Sequence, residues 1–262
     1  MRHIKRIRAG RFTYEVIYTP PSIQDTPPQR AARSKATTAA QAMLNFKESR
    51  KQLTLLLAEN FTPGDYFCTL TYDDAHLPGN RAEMLKDVKK AIRRYREEYK
   101  RLGNELKYIY AVEGVTGEQR YNVHIVLNAA TGDVRRDAEI IAALWGRGYV
   151  DIHQLDKYYQ PMGNYIEYET IARYMTKEGS PGAGKPNGAR RWTPSKNLNH
   201  PKADKVERVS DSADITAPVG AYVLDSFTRR TPYAEYKYIY YVLPLTAKER
   251  PKRTINERIQ PA

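Results

Sequence analysis

Two short segments of this 262-residue chain carry side chains that could act together on a phosphate ester. Residues 121–128 alternate apolar and polar, so Asn122 and His124 lie on one face of a predicted strand. Further along, Tyr174 and Lys177 stand three residues apart, about one turn of a predicted helix. An imidazole and an amide oxygen can bind a divalent cation, and a tyrosine hydroxyl can act as a nucleophile.

Glu113 completes the set of candidate metal ligands. It ends the strand before residues 121–128, and the short linker 114–120 predicts an antiparallel hairpin. The hairpin would bring Glu113 close to His124, in a register that the sequence leaves open. A carboxylate, an imidazole and an amide oxygen suit Mg²⁺ or Mn²⁺ and leave positions for phosphate oxygens. We therefore predict Glu113, His124 and Asn122 as ligands. The alternative is a hydrogen-bonded strand histidine without a metal.

Tyr174 is the predicted nucleophile and Lys177 its electrostatic helper. A phenol has a pKa near 10, so attack at neutral pH requires stabilisation of the phenolate or removal of its proton. The helix is predicted to begin at Asn164 and run to Lys177, with Ile171 and Met175 in its buried stripe. Tyr174 and Lys177 then lie at the edge of that stripe, where Lys177 can stabilise the phenolate and the charge developing at phosphorus.

The charge of the chain points to a polyanionic partner. Its 43 Lys and Arg residues against 30 Asp and Glu residues give a net charge of +13, which attracts nucleic acids. The 21 tyrosines, against 5 phenylalanines, supply rings that can stack on exposed bases, although some will be ordinary strand residues. We predict single-stranded DNA binding by basic residues beside a tryptophan, with a solubilising loop as the alternative: Arg190, Arg191, Trp192, Lys196, Arg229 and Arg230.

The predicted fold is α+β, with a central antiparallel sheet of about five strands flanked by helices, because glycine-rich phosphate loops of doubly wound folds are absent. Residues 1–245 are predicted to form a single domain with a mobile basic loop at 178–217, and residues 246–262 a polar basic tail. The predicted strands are 11–19, 66–72, 106–113, 121–128, 148–155 and 235–243, and the predicted helices are 31–59, 83–102, 133–145 and 164–177.

Composition also excludes several classes of protein. Cys68 is the only cysteine, so an intrachain disulfide or a cysteine-based zinc site is excluded. The apolar runs are shorter than a membrane span, and the basic residues 1–10 lack the apolar stretch of a secretory signal. We therefore expect a cytoplasmic protein with no membrane partner.

These segments resemble the HUH endonuclease superfamily, and within it the rolling-circle replication initiators of phages and plasmids. The strand Phe67–Tyr72 is similar to the first motif of the family, Asn122-Val123-His124 to the second, and Tyr174 to Lys177 to the third. Residues 145–150 and 190–198 look like its linking segments. The resemblance covers roughly residues 60–245. It departs at Asn122, which stands where the family has a first histidine and binds a divalent ion less strongly.

The resemblance implies a site-specific single-strand DNA endonuclease and strand transferase that initiates rolling-circle replication through a 5′-phosphotyrosine. Its partners would be single-stranded or hairpin origin DNA, together with host helicase and polymerase, in the cytoplasm of a bacterial host cell. Three alternatives stay open: an HUH-type transposase or relaxase, a non-catalytic DNA-binding protein with a degenerate metal site, and an RNA-binding protein.

Overall fold

The computed structural model describes residues 1–20, 39–114, 120–177, 191–230, 234–248 and 256–259. The chain is arranged in two compact units. Unit 1 comprises Met1–Glu59, Gln160–Tyr165 and Asn199–Lys248, and unit 2 comprises Asn60–Tyr159, Ile166–Leu198 and Glu249–Ala262. This division does not test whether either unit folds alone, so the single domain over residues 1–245 stays a prediction.

The helices and strands of the described residues are as follows in chain order. The α-helices are α1 (Ala39–Asn60), α2 (Arg81–Arg101), α3 (Val134–Trp145) and α4 (Tyr168–Met175), with a short 3₁₀ helix at Leu155–Tyr158. The strands are β1 (Arg2–Ala9), β2 (Phe12–Tyr18), β3 (Tyr66–Thr71), β4 (Tyr108–Glu113), β5 (Asn122–Leu127), β6 (Val150–Gln154), β7 (Tyr159–Gln160), β8 (Tyr165–Ile166), β9 (Thr193–Pro194), β10 (Glu207–Val209), β11 (Tyr222–Arg230), β12 (Glu235–Val242) and β13 (Asn256–Ile259).

The α+β class is confirmed. A five-stranded sheet in the order β10-β1-β2-β12-β11 forms most of unit 1, and a six-stranded sheet in the order β13-β6-β3-β5-β4-β9 forms the centre of unit 2. Neighbouring strands in both sheets pair antiparallel. Sequence patterning missed β1 and β11, because charged and polar residues interrupt the apolar alternation in both.

One face of the unit 2 sheet is covered by helices α2 and α3, as the alternation in β3 and β5 predicts. Tyr66, Cys68 and Leu70 of β3 pack in one core cluster with residues of both helices. Val123 and Ile125 of β5 belong to the same cluster. Since successive side chains of a strand point to opposite faces, Phe67, Thr69 and His124 must lie on the other face.

The segment 145–150 fixes the end of β3. The Trp145 indole nitrogen donates a hydrogen bond of 2.8 Å to the Thr71 carbonyl oxygen. A Cβ atom on Gly148 would lie 2.5 Å from the same oxygen, so a side chain there would collide with the backbone of β3. The glycine in this segment is therefore explained by a close backbone approach.

Helix α4 is shorter than predicted, and its predicted start at Asn164 is wrong. Asn164 has a φ of 52°, and its side-chain nitrogen donates to the Leu245 carbonyl oxygen at 2.7 Å. Strand β8 follows, and the helix begins only at Tyr168. A partner distant in sequence thus uses the side chain that the pattern assigned to capping. Ile171 and Met175 are buried as predicted.

The region predicted as a mobile loop contains paired strand residues. Residues 178–190 lie outside the described residues, but β9 pairs with β4 and β10 pairs with β1. The Ser195 amide donates to the Tyr108 carbonyl oxygen at 2.8 Å, and the Tyr108 amide donates to the Ser195 hydroxyl at 3.1 Å. In the predicted tail, β13 pairs with β6.

Candidate active site

Three neighbouring strands of unit 2 position the candidate residues on the face opposite α2 and α3. Thr69 of β3 is directly opposite His124 of β5, and Glu113 of β4 is directly opposite Asn122. Glu113 is thus a diagonal neighbour of His124, a separation that long side chains span. The register that the sequence left open places both on one face.

His124 is held from both ring nitrogens. The side chain is 2% exposed, and Nε2 forms a hydrogen bond with Oε2 of Glu113. An ionised carboxylate can only accept, so Nε2 carries the proton of this bond. Nδ1 lies 3.2 Å from the Thr69 hydroxyl. The ring orientation is therefore fixed by residues of the two adjacent strands.

The Glu113 carboxylate is buried between two donors. Its second oxygen lies 2.5 Å from the Lys177 ammonium nitrogen. Burial alone would raise the pKa of Glu113, but the hydrogen bonds from His124 and Lys177 outweigh it and lower the pKa from its ordinary value of 4.5. Glu113 is accordingly ionised at neutral pH and orients both His124 and Lys177.

Tyr174 is in contact with this cluster and also reaches solvent. Its ring centroid lies 4.7 Å from that of His124, with the planes at 71°. The Lys177 ammonium nitrogen lies 4.4 Å from the same Tyr174 ring centroid, a cation–π distance. The Tyr174 residue is 43% exposed. A phenol at this position is open to a substrate while a cation and an imidazole contact its ring.

Phe67 and Tyr158 complete the surroundings of Tyr174, and sequence reasoning gave neither a role. The Phe67 ring centroid lies 5.8 Å from that of Tyr174 and 6.1 Å from those of His124 and Tyr158. Burial raises the pKa of Tyr158 to about 12, and the neighbouring Tyr174 adds to the effect. Tyr158 is thus a neutral phenol at physiological pH. The alternation of β3 could have identified Phe67 and Thr69, whereas no sequence signal marks Tyr158.

The structure does not bring every predicted residue to this cluster. The Asn122 side-chain nitrogen donates to the Arg120 carbonyl oxygen at 3.3 Å. Arg190 lies outside the described residues, and Arg191, Trp192 and Lys196 lie around β9 in unit 2. Arg229 and Arg230 lie on β11 in unit 1, so the predicted DNA-binding set is divided between the units. Its roles in binding stay predictions.

Glu113 and His124 are suitable donors for a divalent cation, although each already bonds the other. Within the described residues, no three or more His, Cys, Asp or Glu side chains form a group that could hold a metal. A carboxylate and an imidazole on adjacent strands fit a hard or borderline ion that takes its other ligands from water and substrate. Such an ion would replace the hydrogen bond between the two side chains, and the Mg²⁺ or Mn²⁺ expectation stays a prediction.

Replacing Glu113 with Gln is expected to destabilise the protein at neutral pH by about 1–2 kcal/mol, because bonds to a charged acceptor are lost and Lys177 is partly exposed. The folded-state pKa of Glu113 is lowered, so its contribution is present above the ordinary value of 4.5 and disappears as the pH falls through the folded-state pKa. Urea unfolding at pH 7, and then stepwise below pH 4.5, measures the difference.

Glu97→Gln is the matched control, because the Glu97 side chain on α2 is 71% exposed. This variant should show no comparable difference from the unmodified protein at either pH. A Glu113→Gln deficit that stays constant with pH would contradict the proposed role of the ionised carboxylate.

Fold and site together define an α+β protein with a partly exposed tyrosine beside a buried histidine–carboxylate pair on an antiparallel sheet. Residues 65–179 match the model of the family described as replication-associated protein ORF2. The match covers less than half of the chain, but it includes every residue of the cluster and supports a role in DNA replication. Comparisons with curated proteins and with solved structures give no match. Among the described residues, no helix is long and apolar enough to cross a membrane.

Proposed function

We propose that this protein is a replication initiator that nicks and rejoins one DNA strand, with Tyr174 as the nucleophile. The observation that carries the proposal is the contact of the exposed Tyr174 ring with His124 and Lys177, within the residues that match replication-associated proteins. The proposed substrate is single-stranded or hairpin origin DNA, and the proposed partners are host helicase and polymerase.

In the proposed reaction the Tyr174 oxygen forms a bond to the scissile phosphorus, and the bond from phosphorus to the 3′ oxygen breaks. The leaving 3′ oxygen takes the electron pair and a proton and becomes a free 3′-hydroxyl, while the phenol proton is released to solvent. The product is a 5′-phosphotyrosine. One phosphodiester replaces another, so attack by a 3′-hydroxyl on phosphorus reverses the step and rejoins a strand.

Lys177 has two roles in this proposal. Its ammonium group contacts the Tyr174 ring, where positive charge favours the phenolate, and is held there by the Glu113 carboxylate. Glu113 and His124 would hold a divalent ion, which when bound polarises the scissile phosphate. Thr69 keeps the His124 ring in the orientation that directs Nε2 towards Glu113.

The proposal is tested by trapping the covalent product. Single-stranded oligonucleotides that tile the DNA flanking the coding sequence are incubated with the protein and Mn²⁺. A label at the 3′ end should migrate with the protein on a denaturing gel, whereas a label at the 5′ end should appear on a shorter, free oligonucleotide. Mass spectrometry of the digested adduct should place the nucleotide on the peptide that contains Tyr174. An adduct on another residue would overturn the assignment.

A non-catalytic DNA-binding protein is the second candidate, and one observation favours it. Both oxygens of Glu113 are already bound, by His124 and by Lys177, which neutralises the carboxylate without a metal. Titration calorimetry with Mn²⁺ separates the candidates. The initiator should release or absorb heat that His124→Ala removes, whereas an absence of heat together with intact DNA binding would support the binding protein.

A further inference from the structure

Unit 1 contains a chain of neighbouring rings on one face of its five-stranded sheet, which we term the aromatic row. The ring centroids of Phe227 and Tyr238 are 4.7 Å apart, those of Tyr238 and Tyr236 are 6.2 Å apart, and those of Tyr236 and Tyr18 are 5.5 Å apart. The ring planes within these pairs differ by 23°, 15° and 18°. His3 continues the row at 5.7 Å from Tyr18. The row thus crosses four strands.

The strand register places these rings on the same face. Tyr236 is opposite Tyr18 and also opposite Arg229, and Phe227 is opposite Tyr238. Part of the row reaches solvent: Phe227 is 47% exposed, and Tyr18, Tyr236 and Tyr238 are intermediate in exposure. At the other end of this face, Lys51 of α1 lies 3.7 Å from the centroid of the Tyr14 ring. The helix therefore contacts one end of the face and the row forms the other.

Three cations share the face of the aromatic row. Arg229 is opposite Tyr236, Lys5 is opposite Val16 next to Tyr18, and Arg208 is opposite His3. All three are exposed and, within the described residues, none forms an ion pair. Two acidic side chains, Asp225 and Glu48, lie near Tyr14 instead. The positive charge is thus concentrated beside the row.

The opposite face of the same sheet is different. There the cations are paired: Arg6 with Glu15 and Glu207, and Lys237 with Asp214. Arg230, the neighbour of Arg229 in sequence, is bound to Glu235 at 2.7 Å. Cross-strand aromatic pairs also stabilise sheets, but that role does not require unpaired cations beside the rings.

We propose that the aromatic row and its cations form a binding surface for single-stranded DNA that is separate from the Tyr174 cluster. Nucleobases stack on the exposed rings without sequence preference, while Lys5, Arg208 and Arg229 contact the phosphates. The surface assigns a binding role to Arg229 and denies one to Arg230. It goes beyond the nicking proposal and does not depend on it, because all of its residues belong to unit 1.

The test measures the binding of a fluorescent oligo(dT) of about 20 nucleotides, a probe that reports stacking and phosphate contacts and does not require cleavage. Tyr236→Leu should weaken binding by about tenfold, since stacking on one base is lost, and Tyr236→Phe, which keeps the ring, should stay within about twofold. The Phe variant and far-UV circular dichroism control for folding.

Arg229 and Arg230 provide a matched pair of charge variants. Arg229→Ser should weaken binding and reduce the slope of log affinity against log salt by about one, because one phosphate contact is lost. Arg230→Ser removes the same charge from the other face and should leave both quantities nearly unchanged. Crosslinking with an iodouracil-containing oligonucleotide should attach to peptides that contain Tyr18 or Tyr236.

Four results would overturn the inference: unchanged binding by Tyr236→Leu and Arg229→Ser, equal losses in Arg229→Ser and Arg230→Ser, tighter binding of oligo(U) than of oligo(dT), or a change of oligomeric state in light scattering in place of a binding defect. Loss of nicking with an intact Tyr236 effect would contradict only the nicking proposal.

Discussion

Tyr174→Phe is expected to abolish the covalent protein–DNA adduct, with a loss of at least about a thousandfold in its rate of formation, since the attacking oxygen is removed. Tyr174 is 43% exposed, so the loss of one hydroxyl should change stability by no more than about 0.5 kcal/mol. Binding of uncleaved DNA should persist, because the ring and the surrounding charges remain. Adduct formation on a denaturing gel and binding by fluorescence anisotropy measure the two properties separately.

Tyr149→Phe is the matched control for this prediction. Tyr149 is another partly exposed tyrosine of unit 2, at 39% exposure, and lies outside the cluster. The control should form the adduct at the normal rate. Normal nicking by Tyr174→Phe would place the nucleophile elsewhere and remove the basis of the proposed function.

Lys177→Met is expected to reduce the rate of adduct formation at saturating DNA by about 10²–10³-fold, the size of effect seen when one electrostatic stabiliser is removed. Methionine keeps the length of the side chain and removes its charge next to Tyr174 and Glu113. Without the ammonium group the phenolate is less favoured, so the remaining activity should rise more steeply with pH than that of the unmodified protein. Lys177→Arg, which keeps the charge, should recover part of the rate.

Arg173→Met controls for the general effect of a lost positive charge on α4. Arg173 lies on the same helix and pairs with Glu169 at 3.1 Å, away from Glu113. This variant should at most weaken DNA binding and leave the rate at saturation unchanged. Equal rate losses in the two variants would show that Lys177 contributes only to the overall charge.

Much of the site's framework follows from local pattern. Alternation in β3 and β5 correctly divides the residues that pack under α2 and α3 from Phe67, Thr69 and His124. The short linker after Glu113 correctly predicts the antiparallel hairpin of β4 and β5. These features depend only on the geometry of a strand and on the length of a connection, which neighbouring residues determine.

Other features could not be predicted, because they depend on partners far apart in the chain. Asn164 is bound to the Leu245 carbonyl, so the helix begins at Tyr168. Ser195 is bound to Tyr108, so part of the predicted loop becomes β9. In both cases a distant hydrogen bond overrides the preference that the local sequence expresses.

The sequence by itself determined which residue types were available for chemistry and which face of its own strand or helix each occupies. Only the tertiary structure decided that Glu113 lies diagonal to His124, that Lys177 binds Glu113, and that the Tyr174 ring contacts His124. The physical reason is that alternation is a property of one strand, whereas register and helix docking are set by hydrogen bonds and packing between elements.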